Sequence, residues 1–175
     1  TEATDDEIEQ WCDQRAIACA RGPIDDVLER YLRAAQSVRA SIILRLTADS
    51  PFLDPDVCSQ VLYLLQRTGA DYVSNVDPPR WPDGLDCEAF KVDALARAAT
   101  ESTLRSDREH VTPYIRHNRH KFSVRALDCP ITGIAQERWT VDSAEDLNFA
   151  RSLAALLPAD RPPNFIEVLR ALDST

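Results

Sequence analysis

Glycine is scarce in this chain. Its 175 residues hold only four, Gly22, Gly69, Gly84 and Gly133, and these cannot write a G-x-G-x-x-G dinucleotide loop, a Walker loop or a G-x-S-x-G nucleophile elbow. If the protein handles a nucleotide, a glycine-rich phosphate cradle is not among these residues. Methionine is absent. No run approaches the roughly 20 apolar residues of a membrane-spanning helix, and the opening TEATDDEIEQ is too acidic and polar for a secretory signal. Cysteine is present without a pattern. Cys12, Cys19, Cys58, Cys87 and Cys129 are odd in number and no two are three apart, which argues against a disulfide framework and a zinc ribbon. They read as small apolar side chains in a reducing cytoplasm. Positive charge is in the minority, with 20 Lys and Arg against 29 Asp and Glu and a net charge of −9. Such a surface repels phosphate backbones and anionic lipid, so neither nucleic acid nor membrane is an expected partner. A nucleotide substrate stays open, because a divalent metal can bridge carboxylates to phosphates.

What is present is an apolar fraction of 44%, enough to build a core. Apolar spacing predicts helices over 5–14, from about 26 to 35, over 55–67, 93–102, 108–118, 144–157 and 164–172. Short apolar or alternating runs predict strands at 17–20, 41–46, 71–75, 87–91, 121–127 and 139–141. SIILRL (41–46) is nearly all apolar, as a central parallel strand would be. Alternating helices and strands imply an α/β sandwich with a mostly parallel sheet, read as one domain over 1–175. Ligands of such sheets lie beyond the carboxyl ends of strands. The informative residues are therefore expected just after Leu46, Asn75 and Val141.

Asp49 follows the strongest strand by three residues, where a carboxylate suits a metal; the alternative is a turn in which Asp49 or Asp54 caps the next helix. Asp142 closes the 139–141 run, one residue before Ser143, which suits a helix cap with Glu145 and Asp146 in the first turn. Asp49 and Asp142, converging across the sheet edge, could hold Mg²⁺, with waters and phosphate oxygens completing its shell. His110, His117 and His120 fall within eleven residues, but the spacing is not that of a zinc protease. WPDGLDCE (81–88) mixes one tryptophan with three carboxylates, a composition suited to sugar hydroxyls or to a plain surface turn.

Six segments occur in a fixed order: RGPIDDVLERY, RLTADSPFLDP, DYVSN, PDGLDCEAF, DREHVTPYI and WTVDSAEDLNF. Together they resemble the cytidylyltransferases of spore-coat polysaccharide biosynthesis, which are similar to CMP-sialic acid and CMP-KDO synthetases. The resemblance implies a Rossmann-like nucleotidyltransferase fold and transfer of CMP from CTP to a sugar with release of pyrophosphate, in the cytoplasm, by an enzyme that is commonly a homodimer. Asp49 and Asp142 match the family's acids for Mg²⁺, the implied cofactor. Arg21, Asp26 and Arg30 match the nucleotide-side motif. Asp83, Asp86 and Glu88, with Arg108, Glu109 and His110, match the acceptor side. Two departures are small: Ser50 stands where a cysteine or acid is frequent, and Ser143-Ala144 replaces Thr-Pro. One is large. Family members open with a strand, a loop that grips CTP phosphates, a helix and a second strand, so a first βαβ unit of roughly 50 to 60 residues is expected to be missing. The chain alone is then expected to be inactive and poorly soluble. The resemblance leaves two other readings, a non-catalytic sugar-binding or partner domain and another nucleotide-sugar transferase.

Overall fold

A computed structural model describes residues 3–174. Eight α-helices and four strands alternate through them. They are α1 (Asp6–Asp13), α2 (Val27–Ser37), β1 (Ile42–Arg45), α3 (Pro55–Thr68), β2 (Tyr72–Ser74), β3 (Glu88–Lys91), α4 (Val92–Glu101), α5 (Arg105–His110), α6 (Pro113–His117), β4 (Val124–Ala126), α7 (Ala144–Ala154) and α8 (Phe165–Leu172). The α/β class is as the sequence predicts. The strand order is β1-β3-β2-β4. β2 pairs parallel with β4, Val73 opposite Arg125, and antiparallel with β3, Val73 opposite Ala89, so the sheet is mixed. The chain divides into two units, Thr1–Ile43 with Lys91–Phe122, and Leu44–Phe90 with Ser123–Thr175. Among the described residues no helix is long and apolar enough to cross a membrane.

The second unit carries an apolar core. Phe52, Val57, Trp81, Leu85, Trp139, Leu153 and Val168 are buried together, and removing such side chains from water is the main stabilising contribution. α3 joins this core through Val57, which lies with Val61 and Leu65, four apart, on the helix's buried face. Pro55 stands in its first turn, and Gly69 ends it in a left-handed conformation. Its cap is Asp54, 2% exposed, whose carboxylate accepts from the backbone N–H of Asp56 at 2.7 Å and of Phe165 at 2.8 Å. One side chain thus fixes the starts of both α3 and α8.

Three expected elements differ. Ile17–Ala20 forms no strand, because Ala16 turns the chain with a positive φ and the Ile17 N–H closes back on Cys12. Trp139–Val141 forms no strand; the preceding Arg138 makes an isolated bridge with Asp83. The single helix expected from 108 to 118 is two helices, interrupted at Val111, whose φ of 72° is strained for a β-branched residue. β1 stands at the end of the strand order and is only partly buried, where the apolar run alone reads as a central strand.

Candidate active site

In the second unit the chain turns at Thr47–Ser50 directly after β1. The Val141 N–H donates to the Asp49 carbonyl at 2.8 Å, so the segments carrying Asp49 and Asp142 run side by side. Asp54 takes the capping role left open between it and Asp49. The Asp49 carboxylate accepts from the Ser50 hydroxyl at 3.1 Å. Asp142 is exposed (61% for its side chain) and ion-paired with Arg138, and it also accepts from Thr140 at 3.2 Å. Ser143 caps α7 through a capping box with Asp146, and Arg138 holds the Asp146 carboxyl well below the usual range. The backbones of the two segments are thus joined, while the Asp142 carboxylate is engaged by Arg138.

The loop 76–87 is closed at its base by Asn75. Its amide donates to the Leu85 carbonyl at 2.7 Å and its Oδ1 accepts from the Cys87 N–H at 2.8 Å. Across the loop, Asp83 N–H donates to Glu137 at 2.9 Å and the Trp139 N–H donates to the Asp83 carbonyl at 2.7 Å. Gly84 is required there. Its φ is 107°, and a Cβ would meet the Trp139 carbonyl carbon at 3.0 Å. Trp81 is not a sugar platform: it is 4% exposed, donates to the Leu127 carbonyl at 2.8 Å and packs edge-on against Phe165.

The loop encloses a small cavity of about 150 Å³ lined by Asn75, Val76, Trp81, Asp83 and Asp86 among others. Asp83 is exposed; Asp86 is half-buried. Burial pushes the Asp86 carboxyl up to about 6, and the charges of Asp83, Glu88 and Asp49 add to the rise while Arg45 opposes it. Glu88, 3% exposed, is held by Arg45 at 2.5 Å and by the Tyr72 hydroxyl at 2.5 Å. It sits in a buried ion pair whose rupture would leave an uncompensated charge.

In the first unit Arg21, Asp26, Arg30 and Arg108 are engaged by partners within the unit. Arg21 bonds Asp6 at 2.6 Å and Glu9 at 2.7 Å. Asp26 caps α2 by accepting from Glu29 N–H at 2.9 Å, and its second oxygen accepts from Arg108 Nε at 2.7 Å. Arg108 also donates to the Ala99 and Ser102 carbonyls at the end of α4. Arg30 donates to the Pro23 carbonyl at 3.0 Å, and with Arg21 it lines a cavity of about 360 Å³. Glu109 and His110 are exposed at the end of α5, and His117 and His120 are exposed as well. Among the described residues no group of three or more His, Cys, Asp or Glu could hold a metal ion.

Sequence reasoning did not single out Asn75 or Arg45 as organisers of this site. The position of Asn75, directly after an apolar strand, was the available signal. For Arg45, a charge inside an apolar strand with Glu88 far along the chain, only pairing in space reveals the role.

Strands that deliver acids to loops beyond their ends, inside a mixed α/β sheet, define a nucleotide-handling class of fold. The chain belongs to the cytidylyltransferase family, whose model matches residues 2–171. It is 31% identical over 152 residues to the spore coat polysaccharide biosynthesis protein SpsF of Bacillus subtilis (strain 168), covering 86% of this chain and 62% of that protein. The chain thus spans about three-fifths of the length of the curated relatives it matches. A cytidylyltransferase from Leptospira borgpetersenii serovar Hardjo-bovis (strain JB197) superposes with a TM-score of 0.89 at 25% identity, over 99% of this chain and 73% of that one. A CMP:2-keto-3-deoxy-manno-octonic acid synthetase complexed with CTP shares the fold alone, with a TM-score of 0.62 at 13% identity over 85% of this chain and 77% of that one.

Proposed function

We propose that the protein transfers CMP from CTP to a sugar, releasing pyrophosphate, as a step in making a surface polysaccharide. The observation that carries the reading is the gathering of carboxylates after β1 and around the 76–87 loop, within the span matched by the cytidylyltransferase family. Burial, with the charges of Asp83, Glu88 and Asp49 adding to it, raises the Asp86 carboxyl to about 6, and a cation near these acids would relieve their mutual repulsion.

That donor set fits Mg²⁺, which binds through one or two carboxylates and completes its shell with water and phosphate oxygens, so a cluster of three acids is not required. Asp49 and Asp142 would hold it, and when bound it neutralises charge on the transferring phosphoryl group. Asp142 would exchange its contact with Arg138 for the metal. Asp83 and Asp86, fixed by Gly84 and Asn75, accept hydrogen bonds from sugar hydroxyls in the small cavity. Their rigid loop limits the entropy lost when the acceptor binds. Glu88 acts through Arg45 and Tyr72 to fix the start of β3. Arg21, Asp26, Arg30 and Arg108 serve the first unit through their internal partners, and Glu109 and His110 are kept as exposed residues of the acceptor segment. All five cysteines are free, in keeping with a cytoplasmic enzyme.

The test is formation of a CMP-sugar from CTP, Mg²⁺ and a panel of sugars that includes 2-keto acids and amino sugars, followed by ³¹P NMR. Turnover with CTP and with no other nucleoside triphosphate is the expected result for the whole enzyme. The 175 residues by themselves are expected to be inactive, because their four glycines make no phosphate-gripping loop. Magnesium-independent turnover, or equal turnover with ATP or GTP, would reject the reading.

A further inference from the structure

Between α5 and α6 the backbone takes a costly path. The turn there is a γ-turn centred on Val111. Its φ is 72° and its ψ −54°, and the Thr112 N–H closes onto the His110 carbonyl at 2.9 Å. This is the rare, strained hand of that turn, and a β-branched side chain raises its cost. Thr112 adds to it. Its φ of −104° and ψ of −12° lie in the α region, which a following proline disfavours.

Pro113 alone does not account for Val111. A proline ends or kinks a helix at the residue before it, but it demands no positive φ two residues earlier. A glycine at 111 would take that φ without steric cost. Valine is held there by its surroundings. Val111 and Ile115 are 0% exposed and Thr112 is 1% exposed. The Val111 N–H bonds the Asp107 carbonyl at 3.0 Å, and the Arg116 N–H bonds the Thr112 carbonyl at 3.1 Å. α6 packs on α4 and α5. Burial and hydrogen bonds on both sides thus over-determine a conformation that the local backbone resists, the condition under which strain persists at functional sites.

The turn presents two ionisable side chains. Glu109 and His110 close α5 and are exposed, and among the described residues neither side chain makes a hydrogen bond or ion pair. Their neighbours in the same helix are spent. Asp107 is buried and accepts from the Ser102 hydroxyl at 3.4 Å, and Arg108 is engaged by Asp26 and two carbonyls. The His110 carbonyl is the acceptor that closes the γ-turn, so its backbone is fixed while its ring is left to solvent.

We infer that Val111 is a positioning residue, and that its strained turn fixes the His110 imidazole for a hydrogen bond to the acceptor sugar. That role rests on the transferase reading. The ligand class is a polyhydroxylated sugar, whose hydroxyls can accept from an imidazole N–H or donate to its other nitrogen. Fixing the ring in advance lowers the ordering cost of binding. Val111 itself is buried and acts through His110.

Strain and positioning have separate readouts in the whole enzyme. In ordinary backbone a glycine variant melts below the alanine variant. At 111 the order should invert, because both variants lose the buried branch but only Val111→Gly relieves the turn. In steady-state assays Val111→Gly and His110→Ala should each raise KM for the acceptor sugar about tenfold, the worth of one hydrogen bond, with kcat and KM for CTP little changed. The double variant should be no worse than His110→Ala alone, since one residue acts through the other. A Val111→Gly enzyme that melts below Val111→Ala, or does not fold, would overturn the inference. So would additive effects in the double variant, or an unchanged KM for the sugar in either single one. Absence of CMP-sugar formation by the wild type with every sugar would instead reject the transferase reading, and with it the acceptor role of His110, while the melting order would still decide whether the turn is strained.

Discussion

The two units differ in how they treat several of their charged motif residues. In the first, Arg21, Asp26, Arg30 and Arg108 all have partners inside the unit. Asp26 and Arg108, drawn from motifs on opposite sides of the implied reaction, bond to each other at 2.5 Å. In the second, acids are brought together without enough cations to balance them. Arg45 is committed to Glu88, Arg80 to Asp128 and Arg138 to Asp142 and Asp146, and burial, reinforced by Asp83, Glu88 and Asp49, raises the Asp86 carboxyl to about 6. A motif charge that finds a partner stabilises the fold. One that the fold keeps near its own sign is a better candidate for chemistry, because relieving that repulsion is work a bound cation or substrate can do.

Four substitutions test this contrast. The largest effect is expected from Asp49→Ala, which should lower kcat of the whole enzyme by about 10²–10³-fold with little change in thermal stability. A normal Mg²⁺-dependent rate would remove Asp49 from the mechanism. Next, Gly84→Ala should destabilise the fold by about 2–3 kcal/mol in denaturant unfolding, since the backbone is left-handed and the new Cβ meets Trp139. A loss below 1 kcal/mol would mean that the loop shifts to make room.

Arg108→Ala belongs to the other unit. It should destabilise by about 2 kcal/mol through loss of the Asp26 bond and the two carbonyl contacts at the end of α4, with KM for the acceptor sugar little changed. A large rise in KM at unchanged stability would return Arg108 to the acceptor site and blur the contrast.

For Asp86→Asn the expected change in stability is smaller than for Gly84→Ala or Arg108→Ala, and its sign is opposite. The folded carboxyl is raised to about 6 from 3.8. Its contribution is therefore fully present below pH 3.8 and is lost as pH rises through about 6. The amide should stabilise by about 1 kcal/mol at pH 8, after allowance for partial exposure, and by nothing at pH 3.5. Binding of the sugar should weaken meanwhile. Melting curves at the two pH values check the sign, and destabilisation at pH 8 would show that Asp86 is already compensated.

Much of the architecture was legible because it follows from local chemistry. The helices over 55–68 and 144–154 are written by Asp54-Pro55, Gly69 and the Ser143–Asp146 box, all short-range effects. The departures have the opposite character. Ile17–Ala20 has strand composition without a ladder partner, and Val111 breaks a helical run because its neighbours, not its own propensity, fix its φ. At the site, Asp83, Asp86 and Glu88 lie within six residues of sequence, yet one is exposed, one half-buried and protonated toward neutral pH, and one sealed in an ion pair.

The sequence by itself determined the α/β class, the helix ends and the ordered motifs that mark the family, since each depends on residues a few positions apart. Only the tertiary structure decided which acids are spent on internal partners and which are crowded together. Those outcomes depend on distances between segments up to about a hundred residues apart in the chain, and Coulombic and hydrogen-bond energies are set by separation in space.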